Sequence, residues 1–526
     1  MPTTPSTATN GNPNAFMTQH SNEVMGILHG FDRLRLQGSL RYLYKPSVMD
    51  YYLQQAHVLY KDFKTFATGL TRRIYHAAES FAHAAGRPMI YLRSSRLSKE
   101  DLARERAEKD QIREGLIAVF GCVEPCRTYF LRGNRDTGRL ELKLQSGKCL
   151  HLYFYQMHPE VGFMHLRLQT WFPFLIHICL NGREWLARQM GRAGLAYRRQ
   201  DNGFPWIADV GLAQRFMDSQ PRTNWPAFCN ALVRQCHPLH EEIGRPMSLP
   251  YYWTAAESEF ASDVMFRDRA SLQQVYPALV HHAVKSFGST EVMRFLGRRP
   301  SDRFEGQVVT DVRRRTEGVR VKHRLNDNSL KLYDKGSVLR SEVTMNDPRE
   351  FRVYRASEGD PKGDKSWRIL RRSVADMGRR VEVSRAANER YLTALAAVSV
   401  GRPLAAEATG VCRARTRDGR RYRALNPFAE EDAALLSLVN RGEWALRGFR
   451  NRELRQRLWK GPGTTAQEQR RSAAVTRKLA LLRAHGLIAK VSRTHRWVVT
   501  KKGRRVISAL LTARQADVEK LTALAA

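Results

Sequence analysis

The chain has 526 residues, of which 42% are hydrophobic, and 88 Lys and Arg against 51 Asp and Glu give a formal charge of +37. That length and apolar content suit several folded domains rather than a disordered tail, and a basic excess spread along the chain favours a polyanionic partner over a small neutral substrate. No apolar run is long enough to span a bilayer, the longest near Trp171 to Leu180 being broken by His177, so a membrane partner is not expected. Seven scattered cysteines make no disulfide framework, which points to the reducing cytoplasm.

Residues 1–23 lack both a basic start and an apolar segment and read as a flexible tail. A mixed α/β domain is expected over 24–222. In it His29 to Leu43 alternates as a strand or hairpin around Asp32, and a helical stretch runs from Met49 to Ala85. Met89 to Leu92 is a short strand, Ser98 opens a helix to about Lys109, and Gly115 to Phe120 is a buried strand. Residues 139–156 and 161–180 form an antiparallel pair, and Asn181 caps a helix over Gly182 to Met190. Residues 223–300 read as mainly helical, with Glu257, Glu259 and Asp263 on one helix. Strands return in 301–400, at Gly306 to Val312, Gly318 to Arg324, Ser329 to Tyr333 and Val338 to Met345, before helices over 366–398. A linker over 401–424 leads to a last domain, 425–526. The expected fold class is therefore α/β, a mixed α+β multidomain chain.

Chemistry concentrates first in the tail. Between 451 and 510 there are 16 Lys and Arg against two acids, Glu453 and Glu468. Asn451 caps a short helix anchored by Leu454 and Leu458. The run Thr465-Ala466-Gln467-Glu468 is a capping box, and the helix it opens buries Val475, Leu479 and Leu482 and stops at Gly486. Leu487 to Val491 and Arg496 to Val499 make a hairpin with a basic tip, and Thr500 caps a final helix. This order resembles the winged-helix superfamily, a helix-turn-helix with a wing. The resemblance implies nucleic-acid contacts by Arg470, Arg471, Arg477 and Lys478 from the groove helix, with Arg493, Arg496 and Lys501 on the wing side.

A second concentration is Lys331, Tyr333, Asp334 and Lys335, a turn at Gly336-Ser337, then Arg340 and Glu342. Alternation puts Lys331, Tyr333 and Lys335 on one face of the first strand and Arg340 with Glu342 on one face of the second. A phenol, cations and a carboxylate on one surface suit phosphodiester chemistry: Tyr333 as nucleophile or phosphate donor, Glu342 as a hard metal ligand, and the cations as charge stabilisers. The segment K-x-Y-D-K followed by L-R-x-E resembles plasmid and filamentous-phage rolling-circle replication initiators, which implies metal-assisted nicking of DNA. Independently, Asp32, Glu259 and Asp263 could join as the acidic cluster of a transposase-like nuclease holding Mg²⁺ or Mn²⁺.

Zinc is not expected. The sets Cys122, Cys126, Cys149, His151 and Cys229, Cys236, His237, His240 lack paired knuckles and read as buried thiols and histidines. Tyr153, Tyr155, Trp171 and Tyr251 to Trp253 read as core rather than as base-stacking platforms. No phosphate-cradling glycine loop, dinucleotide fingerprint or nucleophile elbow occurs. The expected function is that of a nucleic-acid-processing protein of a mobile or replicating element, with DNA the first choice of partner and structured RNA the second. The alternative is a non-enzymatic regulator or ribonucleoprotein scaffold.

Overall fold

The computed structural model describes residues 14–517 except 136–137, 299, 301–305, 316–317, 358–359, 361, 399–403, 446, 460 and 493. It is a mixed α/β chain divided into two compact units. One comprises Leu28–Ala261 and Val343–Arg385, the other Met1–Ile27, Ser262–Glu342 and Ala386–Ala526.

The first unit is built on a sheet of β1 (Val24–Ser39), β2 (Met89–Leu92), β3 (Gly115–Gly133), β4 (Leu140–His158), β5 (Gly162–Gln169) and β6 (Ile176–Asn181), in the order β1-β6-β5-β4-β3-β2. The expected strand over 161–180 is two strands, because Trp171 to Leu175 turns back and pairs β6 with β5. A small hairpin, β7 (Tyr197–Gln200) and β8 (Gly203–Ile207), follows the helix Gly182–Arg192, which Asn181 caps at 2.8 and 3.0 Å.

Alternation sorts the two faces of this sheet. Leu34 and Leu36, Leu152 and Phe154, Leu166 and Leu168, and Ile176 and Ile178 all point one way and are fully buried against helices Pro46–Gln55, Phe63–Ala84 and Trp225–Cys236. Each such side chain contributes roughly 1.5–3 kcal/mol on burial, so this face dominates the unit's stability. The opposite face carries Arg33, Arg35 and Gln37 on β1, His177 on β6, Arg167 and Gln169 on β5, and Cys149 and His151 on β4. It is a polar face on a central sheet. The aromatics expected in the core are there, with Tyr153, Tyr155, Tyr251 and Trp253 buried and Trp171 packed at the core edge.

The expectation of helix around Glu257 fails. Residues Tyr252–Phe266 form strand β9, which carries Glu257, Glu259 and Asp263. From Phe260 to Phe266 its residues are buried without a break, and a strand covered on both faces loses the alternation by which strands are recognised. The 401–424 segment is also not a bare linker: its described part holds a helix, Leu404–Thr409, and a strand pair, Arg415–Arg417 with Arg420–Tyr422. Of the expected tail, residues 1–13 lie outside the described part, whereas Ala15–Gln19 is helical and buries Phe16.

The second unit holds β10 (Val308–Arg315), β11 (Gly318–Leu325), β12 (Asn328–Lys335) and β13 (Val338–Met345), adjacent in that order. The β12–β13 turn needs Gly336 at φ 78°, a left-handed conformation that suits glycine. The same unit contains the C-terminal module. There helices Asn451–Leu458, Thr465–Ala484 and Lys501–Arg514 surround a three-stranded antiparallel sheet in the order Phe449–Arg450, Arg496–Val499, Ile488–Lys490. Val475, Leu479 and Leu482 are buried as expected, and Gly486 takes φ 71° at the helix end. The caps differ in detail. Thr464, not Thr465, caps the long helix with Gln467 as its reciprocal partner, and Asn451 bonds Ser472 and Thr476 rather than its own helix start.

Candidate carboxylate sites and basic surface

In the second unit the β12–β13 hairpin brings its chemistry together as its alternation requires. Lys331 Nζ and Tyr333 Oη each donate to the Glu342 carboxylate at 2.7 Å, one to each oxygen. Arg340, with no exposed surface, forks onto both oxygens of Asp263 at 2.6 and 2.8 Å and stands 3.9 Å from Glu342. Lys335 is half-buried at the strand end beside the turn. Asp263, expected among metal ligands, is thus the partner of a buried guanidinium. Arg267 and Arg269, the cations nearest to it in sequence, are not what it pairs with in this fork.

Burial pushes the Glu342 carboxyl upward, but the charges of Lys331 and Arg340 and the hydrogen bonds from Lys331 and Tyr333 outweigh it and hold it at about 2. A carboxylate kept ionised this firmly is a poor base for a phenol, whose ordinary value is near 10, so Glu342 is ill suited to activating Tyr333. A stability consequence follows from the lowered value. The native state gains from this carboxylate above the unfolded value of roughly 4.3, and the gain disappears as pH falls through that value toward 2. Glu342→Gln is therefore expected to flatten the acid limb of a urea-midpoint-against-pH curve between about pH 5 and 2. An unchanged acid limb would contradict the assignment.

In the first unit Asp32 and Glu259 bring carboxylate oxygens within 4.8 Å of each other. Asp32 is buried and receives the Asn202 amide, while Glu259 is half-buried. Glu257, two residues away, pairs with Arg35 at 3.1 Å. Two carboxylates this close repel unless a proton or cation sits with them, and their oxygens suit a hard divalent ion.

Sequence reasoning missed another constellation. Glu124 on β3 is buried and takes Lys99 at 2.8 Å, Tyr153 at 2.6 Å and Arg167 at 3.1 Å. Burial raises its carboxyl, and these three donors bring it below the ordinary range. Lysine, tyrosine and arginine around one glutamate thus occur twice. The three partners of Glu124 come from a helix and two other strands, so no local motif announces them.

The basic tail residues divide. Arg470, Arg477 and Lys501 are exposed. Arg471 pairs with Glu468 at 2.8 Å and Lys478 with Glu431, and Arg496 donates to the Arg447 carbonyl at 2.9 Å. Arg493 lies outside the described residues. Of the cysteine sets, Cys126, Cys149 and His151 converge, with donor atoms within 4.8 Å of one another, whereas Cys122 packs among Leu92, Ala103 and Phe120. Cys229, Cys236 and His237 are buried along or just after one helix, and burial pushes both thiols up.

No family model matches the chain, and neither a curated protein nor a solved structure is significantly similar to it.

Proposed function

We propose that this protein binds nucleic acid through its C-terminal module and cleaves or joins phosphodiester bonds with a divalent ion. The observation that carries the reading is the Asp32–Glu259 carboxylate pair, because two carboxylates close enough to share a cation can hold a divalent ion such as Mg²⁺ or Mn²⁺, which orients a phosphate and its attacking oxygen. In this reading Asp32 and Glu259, which lie in one unit, supply carboxylates to the ion. The C-terminal module acts as a winged helix: Arg470, Arg477 and Lys501 meet phosphates directly, and Arg471, Lys478 and Arg496 do so by exchanging their present partners. DNA is the first choice of polyanion and structured RNA the second.

The test is incubation of the full chain with labelled single- and double-stranded DNA and RNA, with and without Mg²⁺ or Mn²⁺. Metal-dependent product supports the reading, and tight salt-sensitive binding without turnover removes its catalytic half. A covalent protein–DNA adduct lost in Tyr333→Phe would assign the nucleophile to Tyr333, whereas full activity of that variant assigns it to water or a nucleic-acid hydroxyl. Arg470→Ala and Arg477→Ala are each expected to weaken binding and to lower the slope of log affinity against log salt by about 1. Unchanged slopes would remove those side chains from the interface.

A second reading, a non-enzymatic regulator or ribonucleoprotein scaffold, is favoured by the repetition around Glu124. If one lysine, tyrosine and arginine set serves only to satisfy a buried carboxylate, the set around Glu342 can do the same.

A further inference from the structure

The polar face of the first unit holds two thiols and an imidazole that no step above uses. Cys149 and His151 lie two apart on β4 and so share a face, and Cys126 on β3 opposes Gly147, one diagonal step from Cys149. The sulfurs of Cys126 and Cys149 are 3.4 Å apart. That is too long for a disulfide, whose sulfurs sit near 2.05 Å. It is close to the spacing of two sulfurs sharing one tetrahedral ion, roughly 3.8 Å when each bond is about 2.3 Å.

His151 has a nitrogen near the same sulfurs. Its Nδ1 lies 3.2 Å from the Cys149 carbonyl, which can only accept, so the proton is on Nδ1 and the Nε2 lone pair is left for a ligand. His177, on the same face, is already committed. Its Nδ1 faces the Arg167 guanidinium at 3.3 Å and must accept, and its Nε2 therefore donates to Gln37 Oε1 at 3.2 Å. It is not a fourth ligand. Cys126 and His151 also line a cavity of about 270 Å³ whose walls include Arg127, Arg167 and Gln169.

We propose that Cys126, Cys149 and His151 form a binding site for a soft divalent ion of the zinc class, with its fourth position turned to this cavity and filled by water or by a ligand entering there. Two thiolates balance the ion's charge, and two sulfurs with one imidazole select zinc over magnesium or manganese, so the site is separate from any hard-metal chemistry at Asp32 and Glu259.

The full chain, reduced and stripped with a chelator, would be titrated with Co²⁺ as the probe. One equivalent is expected to produce thiolate-to-cobalt charge-transfer absorption with tetrahedral visible bands, bleached by Zn²⁺. Cys126→Ser and Cys149→Ser should lose the charge-transfer band, His151→Ala should weaken binding by roughly 10–100-fold or more, and Cys122→Ser should leave the spectrum intact. On the unaltered chain, Zn²⁺ should slow iodoacetamide labelling of Cys126 at least about tenfold without protecting the exposed Cys412. Absence of the band, a band that survives both serine substitutions, or unprotected labelling of Cys126 would overturn the assignment.

Discussion

Asp32→Asn and Glu259→Gln are each expected to lower Mg²⁺- or Mn²⁺-dependent cleavage by roughly a thousandfold while leaving the fold intact. The amides keep the shape of each side chain and one acceptor oxygen, which in Asp32→Asn remains for Asn202. What they remove is charge. A divalent ion stabilises the transferring phosphoryl by several kcal/mol, and losing about 4 kcal/mol of that at the transition state costs about three orders of magnitude in rate. Glu257→Gln is the matched control, since its carboxylate is occupied by Arg35 at 3.1 Å, and its rate should stay within a few-fold. Single-turnover cleavage across a Mn²⁺ titration separates lost affinity, which excess metal restores, from lost chemistry. Wild-type rates in Asp32→Asn would remove this pair from the mechanism.

The second large effect is on stability. Arg340→Met is expected to cost about 3–5 kcal/mol, because the Asp263 carboxylate, only 2% exposed, would lose the guanidinium that occupies both of its oxygens. Urea unfolding of the full chain, followed by a probe in the second unit, measures it. The double variant Arg340→Met/Asp263→Leu should recover much of the loss, since an apolar pair of similar volume buries no charge. A single variant within 1 kcal/mol of wild type, or a double variant no better than the single, would show that the pair is not what anchors β13 to its neighbour.

Local signals were read well from the chain. The β12–β13 hairpin follows from alternation across a two-residue turn and the tail's order from helical spacing, although its caps lie elsewhere than expected. The misses are of another kind. β9 reads as helix because a strand buried on both faces carries no period of two, so Glu259 and Asp263 are not helix neighbours: Glu259 lies beside Asp32, and Asp263 pairs with Arg340 instead of joining them. The donors of Glu124 are invisible locally because Lys99, Tyr153 and Arg167 come from separate elements and meet only across the sheet. The convergence of Cys126 with Cys149 depends on the register of a long hairpin, which places Cys126 against Gly147 and which composition does not specify.

The internal pairing of Arg471 with Glu468 and of Lys478 with Glu431 bears on what the tail can hold. An approaching phosphate would gain those two cations only by displacing the carboxylate already seated on each. A scattered negative charge, such as an acidic protein loop, would have to displace one of these carboxylates to reach Arg471 or Lys478. On the proposed reading, a backbone with a phosphate at every step would displace both acids together, so recognition would depend on charge density rather than on charge alone.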